Sequence, residues 1–321
     1  MSGRFLSRRD LADAKFVEKL TASICSAVEG RCLIAEPLSK HTSFRVGGPA
    51  ALYVYPAHES ALVALLKLCR EDLLDVFVIG YGNNLLVSED GFPGCVIDLS
   101  EAFREIVIEE CKLTAGAGVW LNNVVKMTAE HGLSGMEKLA GIPGGVGGGM
   151  AMNCGAFGTF ISDRLNSLQV MNYNGEVKEL KKEQIEFGYR CAPGLIGEIL
   201  LSADFILDSG KPEQSLRLVE ETITERYRRN VMTLPSAGST FRNPEGHFAA
   251  KLLESVGAKG MKVGGVEVSS QHANFIVNTG GGSAKDIVTL IKKVRELVYK
   301  NHQVDLKLEL RTLGFDHEID A

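Results

Sequence analysis

The spacing of apolar residues in the first third of the chain predicts a helix followed by a small unit of strands. The helical repeat follows Asp10 and ends at Gly30; its apolar members are Phe16, Val17, Leu20, Ile24 and Val28. From residue 51 onward, short β-rich runs surround one helical stretch, Ala61–Cys69. These runs are Leu52–Tyr55, Val76–Ile79, Cys95–Leu99 and Ile106–Ile108. The alternation indicates a small α+β unit.

The middle of the chain, from about residue 105 to 210, is rich in strand patterns and in glycine. Leu168–Asn172 and Glu176–Leu180 flank Asn174-Gly175, which predicts a hairpin with a type I′ turn. Ile199–Leu207 is a candidate for a further strand. Residues 141–149 contain six glycines and one proline, and we expect this segment to form no regular element.

A polar break at Gly210-Lys211-Pro212 predicts a domain boundary. The patterns beyond it indicate a second α+β unit. They predict a charged helix (Leu216–Arg229), a helix near Phe248–Val256, a strand (Asn274–Asn278), a helix that begins with a capping box at Ser283 and Asp286, and a final strand (Val304–Leu310).

Composition and charge restrict the function. A chain of 321 residues is expected to form two or three domains, and its net charge of -5 argues against a nucleic-acid partner. Neither a signal peptide nor a membrane-spanning run is apparent, so a cytoplasmic protein without a membrane partner is expected. Seven unpatterned cysteines favour buried thiols over disulfides, and the histidines lack metal-ligand spacing, so no metal is expected.

Two glycine-rich segments could approach a ligand. Gly80-Tyr81-Gly82 follows an apolar strand, so its backbone N–H groups could reach a pyrophosphate, although a tight turn is the simpler interpretation. The segment 141–149 would let the backbone approach a flat ligand, or it forms a compact surface loop.

Three further segments carry polar side chains of interest, and each has an ordinary structural alternative. Ser236–Pro244 places a hydroxyl beside glycine ahead of Arg242 and Asn243, which could also be a capped turn before a helix. Phe187–Arg190 sets an aromatic ring beside a guanidinium, as a stacked surface arginine would. Glu309 lies on the polar side of an alternating strand pattern.

Together and in order, eight segments resemble the UDP-N-acetylenolpyruvoylglucosamine reductase family, over about residues 35 to 314. They are residues 41–48 (HTSFRVGG), 79–87 (IGYGNNLLV), 141–148 (GIPGGVGG), 187–190 (FGYR), 237–244 (AGSTFRNP), 262–269 (KVGGVEVS), 272–278 (HANFIVN) and 308–311 (LELR). The loop chemistry is closer to the shorter subclass of the family, which lacks an added tyrosine loop.

The resemblance implies an α+β fold. Its FAD-binding region is of the vanillyl-alcohol-oxidase (PCMH) type in two parts, residues 1–104 and 105–212, and a UDP-sugar domain covers 213–311. The tail 312–321 is a candidate to pack on the first part.

The resemblance also implies a role for individual residues. Arg190, Ser239 and Glu309 fall on the family's catalytic positions, and Tyr189, Arg242, Asn243 and His272 on its substrate contacts. The FAD-binding positions would be Arg45, Gly80, Tyr81, Gly82, Asn83, Asn84, Leu85, Ile142, Pro143, Gly144, Gly147, Asn153, Gly155 and Ala156.

The implied reaction uses FAD and NADPH to reduce UDP-N-acetylglucosamine enolpyruvate to UDP-N-acetylmuramate for peptidoglycan synthesis. Hydride reaches the vinyl C3, and negative charge builds at C2 and the carboxylate. Arg190 suits the carboxylate because it stays charged and binds in bidentate fashion. Glu309 is expected to be protonated in a site that raises its pKa, and Ser239 to protonate C2.

The sequence departs from the family at several positions. Cys191-Ala-Pro-Gly194 replaces a hydroxyl and a Phe-Lys pair, Tyr81 and Asn83 replace the commoner Gly and Ser, and Lys307 stands where a glutamate is common. Two alternatives therefore stay open: a related FAD oxidoreductase with another substrate, and a non-catalytic UDP-sugar-binding paralogue. A monomer or weak oligomer is expected.

Overall fold

The computed structural model describes residue 22, residues 24–231 and residues 233–315. The chain forms two compact units, each built from three stretches. Unit 1 contains the described residues up to Ile34, together with Ala51–Tyr81 and Pro93–Arg226. Unit 2 contains Ala35–Ala50, Gly82–Phe92 and the described residues from Tyr227 onward.

The described chain contains more strands than α-helices. The strands are β1 (Gly30–Pro37), β2 (Pro49–Pro56), β3 (Val76–Ile79), β4 (Leu85–Val87), β5 (Phe92–Asp98), β6 (Ile106–Glu109), β7 (Lys112–Gly116), β8 (Leu133–Ser134), β9 (Gly155–Ala156), β10 (Thr159–Phe160), β11 (Leu165–Asn172), β12 (Val177–Lys181), β13 (Glu198–Ile206), β14 (Asp208–Ser209), β15 (Lys262–Val263), β16 (Val266–Val268), β17 (Ile276–Asn278) and β18 (Arg311–Leu313). The α-helices are α1 (Glu59–Glu71), α2 (Leu121–Glu130), α3 (Val146–Ala151), α4 (Pro212–Arg229), α5 (Ala249–Ser255) and α6 (Ala284–His302).

The first sheet of unit 1 has the strand order β1-β2-β5-β3, with β3 and β5 parallel. Helix α1 buries one apolar face, consisting of Ala61, Leu62, Leu65, Leu66 and Cys69, in the same core as residues of β2 and β5. Its first turn is capped by the His58 side chain, which accepts a hydrogen bond from the Ala61 N–H. The predicted strands and helix of this region are confirmed.

The second sheet of unit 1 is antiparallel, in the order β12-β11-β13-β7-β6, and shares a core with α2. The predicted hairpin is present, but the prediction of a type I′ turn is wrong. A type I′ turn needs positive φ at both central residues, and only Gly175, at φ 87°, has it. The Asn172 side chain directs the turn instead, because its Oδ1 accepts the N–H groups of Asn174 and Glu176.

The glycine-rich segment 141–149 is partly regular, which corrects the expectation of no regular element. Its second half opens α3, with Gly145 as the N-cap residue. Side chains are excluded there because the backbone lies against its neighbours: a Cβ on Gly147 would lie 3.0 Å from the Ala117 Cβ. The absence of side chains therefore serves close packing of this short helix.

Unit 2 contains the antiparallel sheet β15-β16-β17, whose core is shared with α5 and α6. The capping box at Ser283 and Asp286 is confirmed. The predicted final strand is displaced: residues 304–310 form only the isolated bridge between Leu308 and Phe241, and the strand is β18. Strand β18 pairs in parallel with β4. Leu306, Leu308 and Leu310 are nevertheless buried, as the alternation predicts.

The predicted domain boundaries differ from the division into units. Position 104/105 and position 212/213 both lie inside unit 1, which continues to Arg226. The start of the predicted tail, Thr312-Leu313, belongs to β18 in unit 2, and residues 316–321 lie outside the described residues. The three-part division stays a prediction. Most of the predicted N-terminal helix is also outside the described residues, although residues 24–27 are helical.

The expectation of free thiols is wrong for one pair. Cys25 and Cys32 form a disulfide, with their Cα atoms 5.5 Å apart, within the usual range for such bonds. Cys69, Cys95, Cys111, Cys154 and Cys191 are free. The spacing of seven residues matches no disulfide or metal motif, so only the fold of the chain at residues 25–32 reveals the pairing.

A buried hydrogen bond in unit 1 provides a test of this core. The Tyr53 hydroxyl donates to Asp98 Oδ2 at 2.7 Å, and the Tyr53 side chain is fully buried. Tyr53→Phe should lower the free energy of unfolding by about 1–3 kcal/mol, because it removes a donor from a buried carboxylate. Urea unfolding checks this, with Tyr173→Phe in the exposed hairpin loop as control. An equal loss in both variants would contradict the assignment.

Candidate active site

The glycine turn of unit 1 is held against the segment that leads into α2. Leu121 N–H donates to the Gly144 carbonyl, Val146 N–H to the Val119 carbonyl and Gly147 N–H to the Ala117 carbonyl, each at 2.9 Å. The Asn122 side chain makes two hydrogen bonds to the start of the turn. It accepts one from Gly141 N–H at 2.6 Å and donates one to the Ile142 carbonyl at 3.3 Å. The predicted flavin-binding residues 142–147 are thereby fixed in place.

A second turn carries Arg190. Gly188 and Cys191 form an isolated antiparallel bridge, with Tyr189 and Arg190 between them, and Arg190 has a φ of 59°. The guanidinium of Arg190 lies 5.3 Å from the centre of the Tyr189 ring. A Cβ on Gly188 would meet the Cys191 sulfur at 2.7 Å, so Gly188 must stay small in this chain.

Asn153 connects this turn to the predicted flavin segment 153–156. Its Nδ2 donates to the Gly188 carbonyl at 3.0 Å. Its Oδ1 is buried and finds no hydrogen-bond partner among the described residues. A buried acceptor without a donor costs about 1–3 kcal/mol, so this atom is suited to a ligand N–H group.

Arg226 is a candidate site residue that the sequence reasoning missed. Its Nε donates to the Ala140 carbonyl at 3.1 Å, next to the glycine turn, and its Nη2 is buried with no partner among the described residues. Burial lowers the pKa of Arg226, and the positive charge of Arg190 adds to this. A signal existed: Arg226 follows the buried Val219 and Thr222 at helical spacing, which places it on the inner face of α4.

Cys154 lies near both of these arginines, and its environment does not favour a nucleophilic thiolate. Burial raises the pKa of the Cys154 thiol to about 12, although the nearby charges of Arg190 and Arg226 act in the opposite direction. The thiol therefore stays protonated at neutral pH and contributes packing rather than chemistry.

In unit 2 the backbone brings Ser239 and Glu309 together. Ser239 forms an isolated bridge with Phe275, and Glu309 N–H donates to the carbonyl of the adjacent Thr240 at 2.9 Å. The Asn274 side chain fixes the same segment, donating to the Phe241 carbonyl and accepting from the Phe241 N–H. Ser239 and Glu309 are both half-buried.

Asn84 ties the predicted FAD-binding loop of unit 2 to Glu309. Its Nδ2 donates to the Glu309 carbonyl at 3.0 Å, and its own carbonyl accepts from Arg311 N–H. Gly82 precedes it with a φ of 60°, and a Cβ there would lie 1.9 Å from the His41 carbonyl oxygen. The Gly82 carbonyl accepts from Ser43 N–H. The turn that carries Arg45, which is exposed, and the 82–85 loop therefore form one structure.

The predicted substrate residues of unit 2 have different surroundings. Arg242 Nε is buried without a partner among the described residues. Asn243 is exposed, and its Oδ1 accepts a hydrogen bond from Ala249 N–H at the start of α5. His272 Nδ1 accepts from Asn274 N–H at 3.2 Å, and its ring meets Phe275 edge-on.

The predicted residues thus divide between the two units. Unit 1 holds Gly80, Tyr81, Ile142, Pro143, Gly144, Gly147, Asn153, Gly155, Ala156, Tyr189 and Arg190; unit 2 holds Arg45, Gly82, Asn83, Asn84, Leu85, Ser239, Arg242, Asn243, His272 and Glu309. Of the three catalytic positions, the structure brings Ser239 and Glu309 together, whereas Arg190 belongs to unit 1.

The unit 1 residues fit a flat cofactor with polar edges. A Cβ on Gly80 or Gly148 would meet no atom within 4 Å, so the backbone is open to a ligand there. The unpartnered Asn153 Oδ1 and Arg226 Nη2 offer an acceptor and a donor, which suit the N–H and carbonyl groups of an isoalloxazine ring. Among the described residues no group of three His, Cys, Asp or Glu side chains could hold a metal ion, and no described helix could span a membrane.

Comparison with known families defines the class. Residues 50–181 match the family model described as FAD binding domain, the stretch that contains the glycine turn and Asn153. With the open glycine turn and its polar groups, this match makes the chain an FAD-dependent oxidoreductase and confirms FAD as its cofactor.

A second family model and relatives that cover most of the chain define the family. Residues 230–313 match the model described as UDP-N-acetylenolpyruvoylglucosamine reductase, C-terminal domain. Proteins named UDP-N-acetylenolpyruvoylglucosamine reductase are 40% identical to the chain, from Clostridioides difficile (88% of this chain, 93% of the relative) and Pelobacter propionicus (89% and 97%). The crystal structure of the enzyme of that name (MurB) from Thermus caldophilus has a TM-score of 0.75 at 31% identity, covering 89% of this chain and 99% of that one. The chain belongs to the UDP-N-acetylenolpyruvoylglucosamine reductase family, and the α+β fold class is confirmed.

His272 gives a pH-dependent test of the unit 2 site. Burial lowers the pKa of His272, so the folded protein keeps the ring neutral where the unfolded chain takes up a proton, below about pH 6.5. Because the unfolded chain then binds more protons, the free energy of unfolding should fall as pH drops through that window. His272→Asn, which keeps an acceptor for Asn274 N–H, should weaken this dependence.

Urea unfolding at about pH 7.5 and about pH 5.5 measures the effect. The exposed His247→Asn is the control and should keep the wild-type difference between the two conditions. An unchanged difference in His272→Asn would show that the His272 ring does not contribute.

Proposed function

We propose that this protein reduces UDP-N-acetylglucosamine enolpyruvate to UDP-N-acetylmuramate, with NADPH as the electron source. The observation that carries the proposal is the joint placement of Ser239 and Glu309. They lie in a chain that matches both the FAD binding domain model and the model of the reductase's C-terminal domain. Bound FAD supplies the transfer of a hydride from NADPH to the vinyl C3 of the substrate.

The unit 1 residues supply positive charge and fix the cofactor. Residues 142–147, Asn153, Gly155 and Ala156 hold the flavin, with Gly80 and Tyr81 next to the pyrophosphate. Arg190 binds the substrate carboxylate and stabilises the charge that develops there, an effect worth about 3 kcal/mol. Arg226 adds a second guanidinium to the same region, and its Nη2, which has no partner among the described residues, would donate to a ligand carbonyl.

The unit 2 residues complete the reaction. The Ser239 hydroxyl delivers a proton to C2, and Glu309, whose backbone is held by Asn84, assists as the acid of the site. A serine is a weak acid, but the carbanion at C2 is strongly basic, so a positioned hydroxyl suffices. Tyr189, Arg242, Asn243 and His272 contact the substrate, whereas Arg45 and residues 82–85 contact the FAD phosphates.

The chemistry places the protein in cell-wall precursor synthesis. Its substrate and product are UDP-sugars, and NADPH is a cytoplasmic reductant, so the enzyme acts in the cytoplasm. We propose that it works as a monomer or weak oligomer, with no nucleic acid or membrane partner.

The overall reaction is tested anaerobically. The flavin absorbance should bleach when NADPH is added and return promptly when UDP-N-acetylglucosamine enolpyruvate follows. Bleaching without return would favour a related FAD oxidoreductase with another substrate. A protein that cannot be loaded with FAD would favour a UDP-sugar-binding paralogue.

Ser239→Ala separates the two half-reactions. Reduction of FAD by NADPH should stay close to the wild-type rate, because no proton transfer from Ser239 is involved. Reoxidation by the enolpyruvyl substrate should slow by about 100-fold or more, the usual contribution of a general acid. Stopped-flow absorbance measures both rates.

The control for this variant is Ser236→Ala, which removes a hydroxyl three residues earlier in the same segment. Wild-type reoxidation in Ser239→Ala would remove Ser239 from the role of proton donor. Equal slowing in both variants would indicate a general disturbance of the segment.

A further inference from the structure

Two contacts within unit 1 hold the Tyr81 side chain in place. Its hydroxyl donates to the Gly118 carbonyl at 2.9 Å. Its ring meets the Trp120 ring edge-on, with centroids 4.5 Å apart, although 38% of the residue stays exposed. Burial raises the pKa of Tyr81, so the phenol is a hydrogen-bond donor at neutral pH. Tyr81 is thus attached to the segment that supports the glycine turn.

Gly145 lies against the Tyr81 ring. A Cβ at Gly145 would sit 2.9 Å from Cε2 of Tyr81, closer than real Cβ contacts allow. Trp120 and Gly145 also form an isolated antiparallel bridge. The two rings, the bridge and the Gly118 hydrogen bond therefore hold the glycine turn between the Tyr81 ring and the backbone of residues 117–121.

We propose that Tyr81 and Trp120 form an aromatic clamp that positions the glycine turn for FAD. In addition to its proposed place next to the pyrophosphate, Tyr81 acts as a positioning residue. It couples the Gly80-Tyr81 loop to Gly145, so that the two segments assigned to FAD are preformed as one cradle. Preorganisation lowers the ordering cost that binding would otherwise incur, so the clamp acts on FAD affinity. The inference rests on the proposed assignment of FAD to these segments.

The contact between Tyr81 and Gly145 can be tested by a double-mutant cycle on FAD affinity, measured by titrating apoprotein with FAD and following flavin fluorescence. Tyr81→Ala should weaken FAD binding by about tenfold, through loss of the clamp. Tyr81→Phe keeps the ring and loses only the Gly118 hydrogen bond, so its effect should be clearly smaller. Gly145→Ala should also weaken binding, because its methyl group displaces the Tyr81 ring.

The double variant Tyr81→Ala/Gly145→Ala is the decisive one. Without the ring, the new methyl group loses its closest contact and keeps only the 3.2 Å approach to the Ala117 carbonyl oxygen. FAD affinity should therefore fall little below that of Tyr81→Ala alone, and the combined loss should be smaller than the sum of the two single losses. Tyr173→Ala is the matched control, because Tyr173 is similarly exposed, at 41%, but lies in the hairpin loop.

Trp120 reports the clamp without FAD, because the chain contains one tryptophan. In apoprotein, Gly145→Ala and Tyr81→Ala should shift Trp120 emission to longer wavelength as the ring moves or is lost. Tyr81→Phe and Tyr173→Ala should leave the emission close to wild type. Emission is independent of turnover, so it separates a disturbed clamp from a disturbed reaction.

Each remaining outcome counts against the clamp. Unchanged FAD affinity in Tyr81→Ala would overturn it while leaving the proposed reaction intact, and so would additive losses in the double variant. If wild-type apoprotein bound no FAD at all, the assignment of FAD to these segments would fail together with the clamp.

Discussion

The structure depends most on the close approach of two backbones in unit 1. Residues 117–121 donate to and accept from residues 144–147 through three hydrogen bonds of 2.9 Å. This approach is possible because Gly145 and Gly147 carry no side chain: a Cβ at either position would lie within 3.2 Å of the Ala117 carbonyl oxygen. Gly148, which also has no side chain, leaves its backbone open to a ligand. Close packing and ligand binding therefore both require glycine in this segment.

In unit 2, polar side chains hold neighbouring backbone segments together. Asn274 satisfies both backbone groups of Phe241, and Asn84 bonds to the carbonyl of Glu309, so two amides position the segments that carry Ser239 and Glu309. A buried amide that bonds to backbone on both sides is costly to replace, because each lost partner leaves an unsatisfied group. These asparagines fix the backbone of the two segments that carry the proposed catalytic residues.

The charge distribution resolves an apparent conflict. The chain has a net charge of -5, yet FAD, NADPH and a UDP-sugar are all anions. Three half-buried guanidinium groups supply positive charge, those of Arg190 and Arg226 in unit 1 and of Arg242 in unit 2. A partly desolvated charge is screened less than a surface charge, so a few arginines can create a positive site within an acidic protein.

Local pattern was sufficient for much of the fold. The strands around α1, the α6 capping box and the buried leucines at 306, 308 and 310 follow from apolar spacing and capping residues, because these signals act over a few neighbouring positions. The order of the family's motifs likewise indicated the cofactor and reaction.

Tertiary structure decided the rest. The Cys25–Cys32 disulfide, the buried position of Arg226 and the contact of Tyr81 with Gly145 join residues whose local patterns do not name their partners. The turn at Asn174-Gly175 and the strand at Arg311–Leu313 were set by the Asn172 side chain and by pairing with β4. Such features depend on which surfaces come into contact in the folded chain. The spacing of residues along the sequence does not predict those contacts.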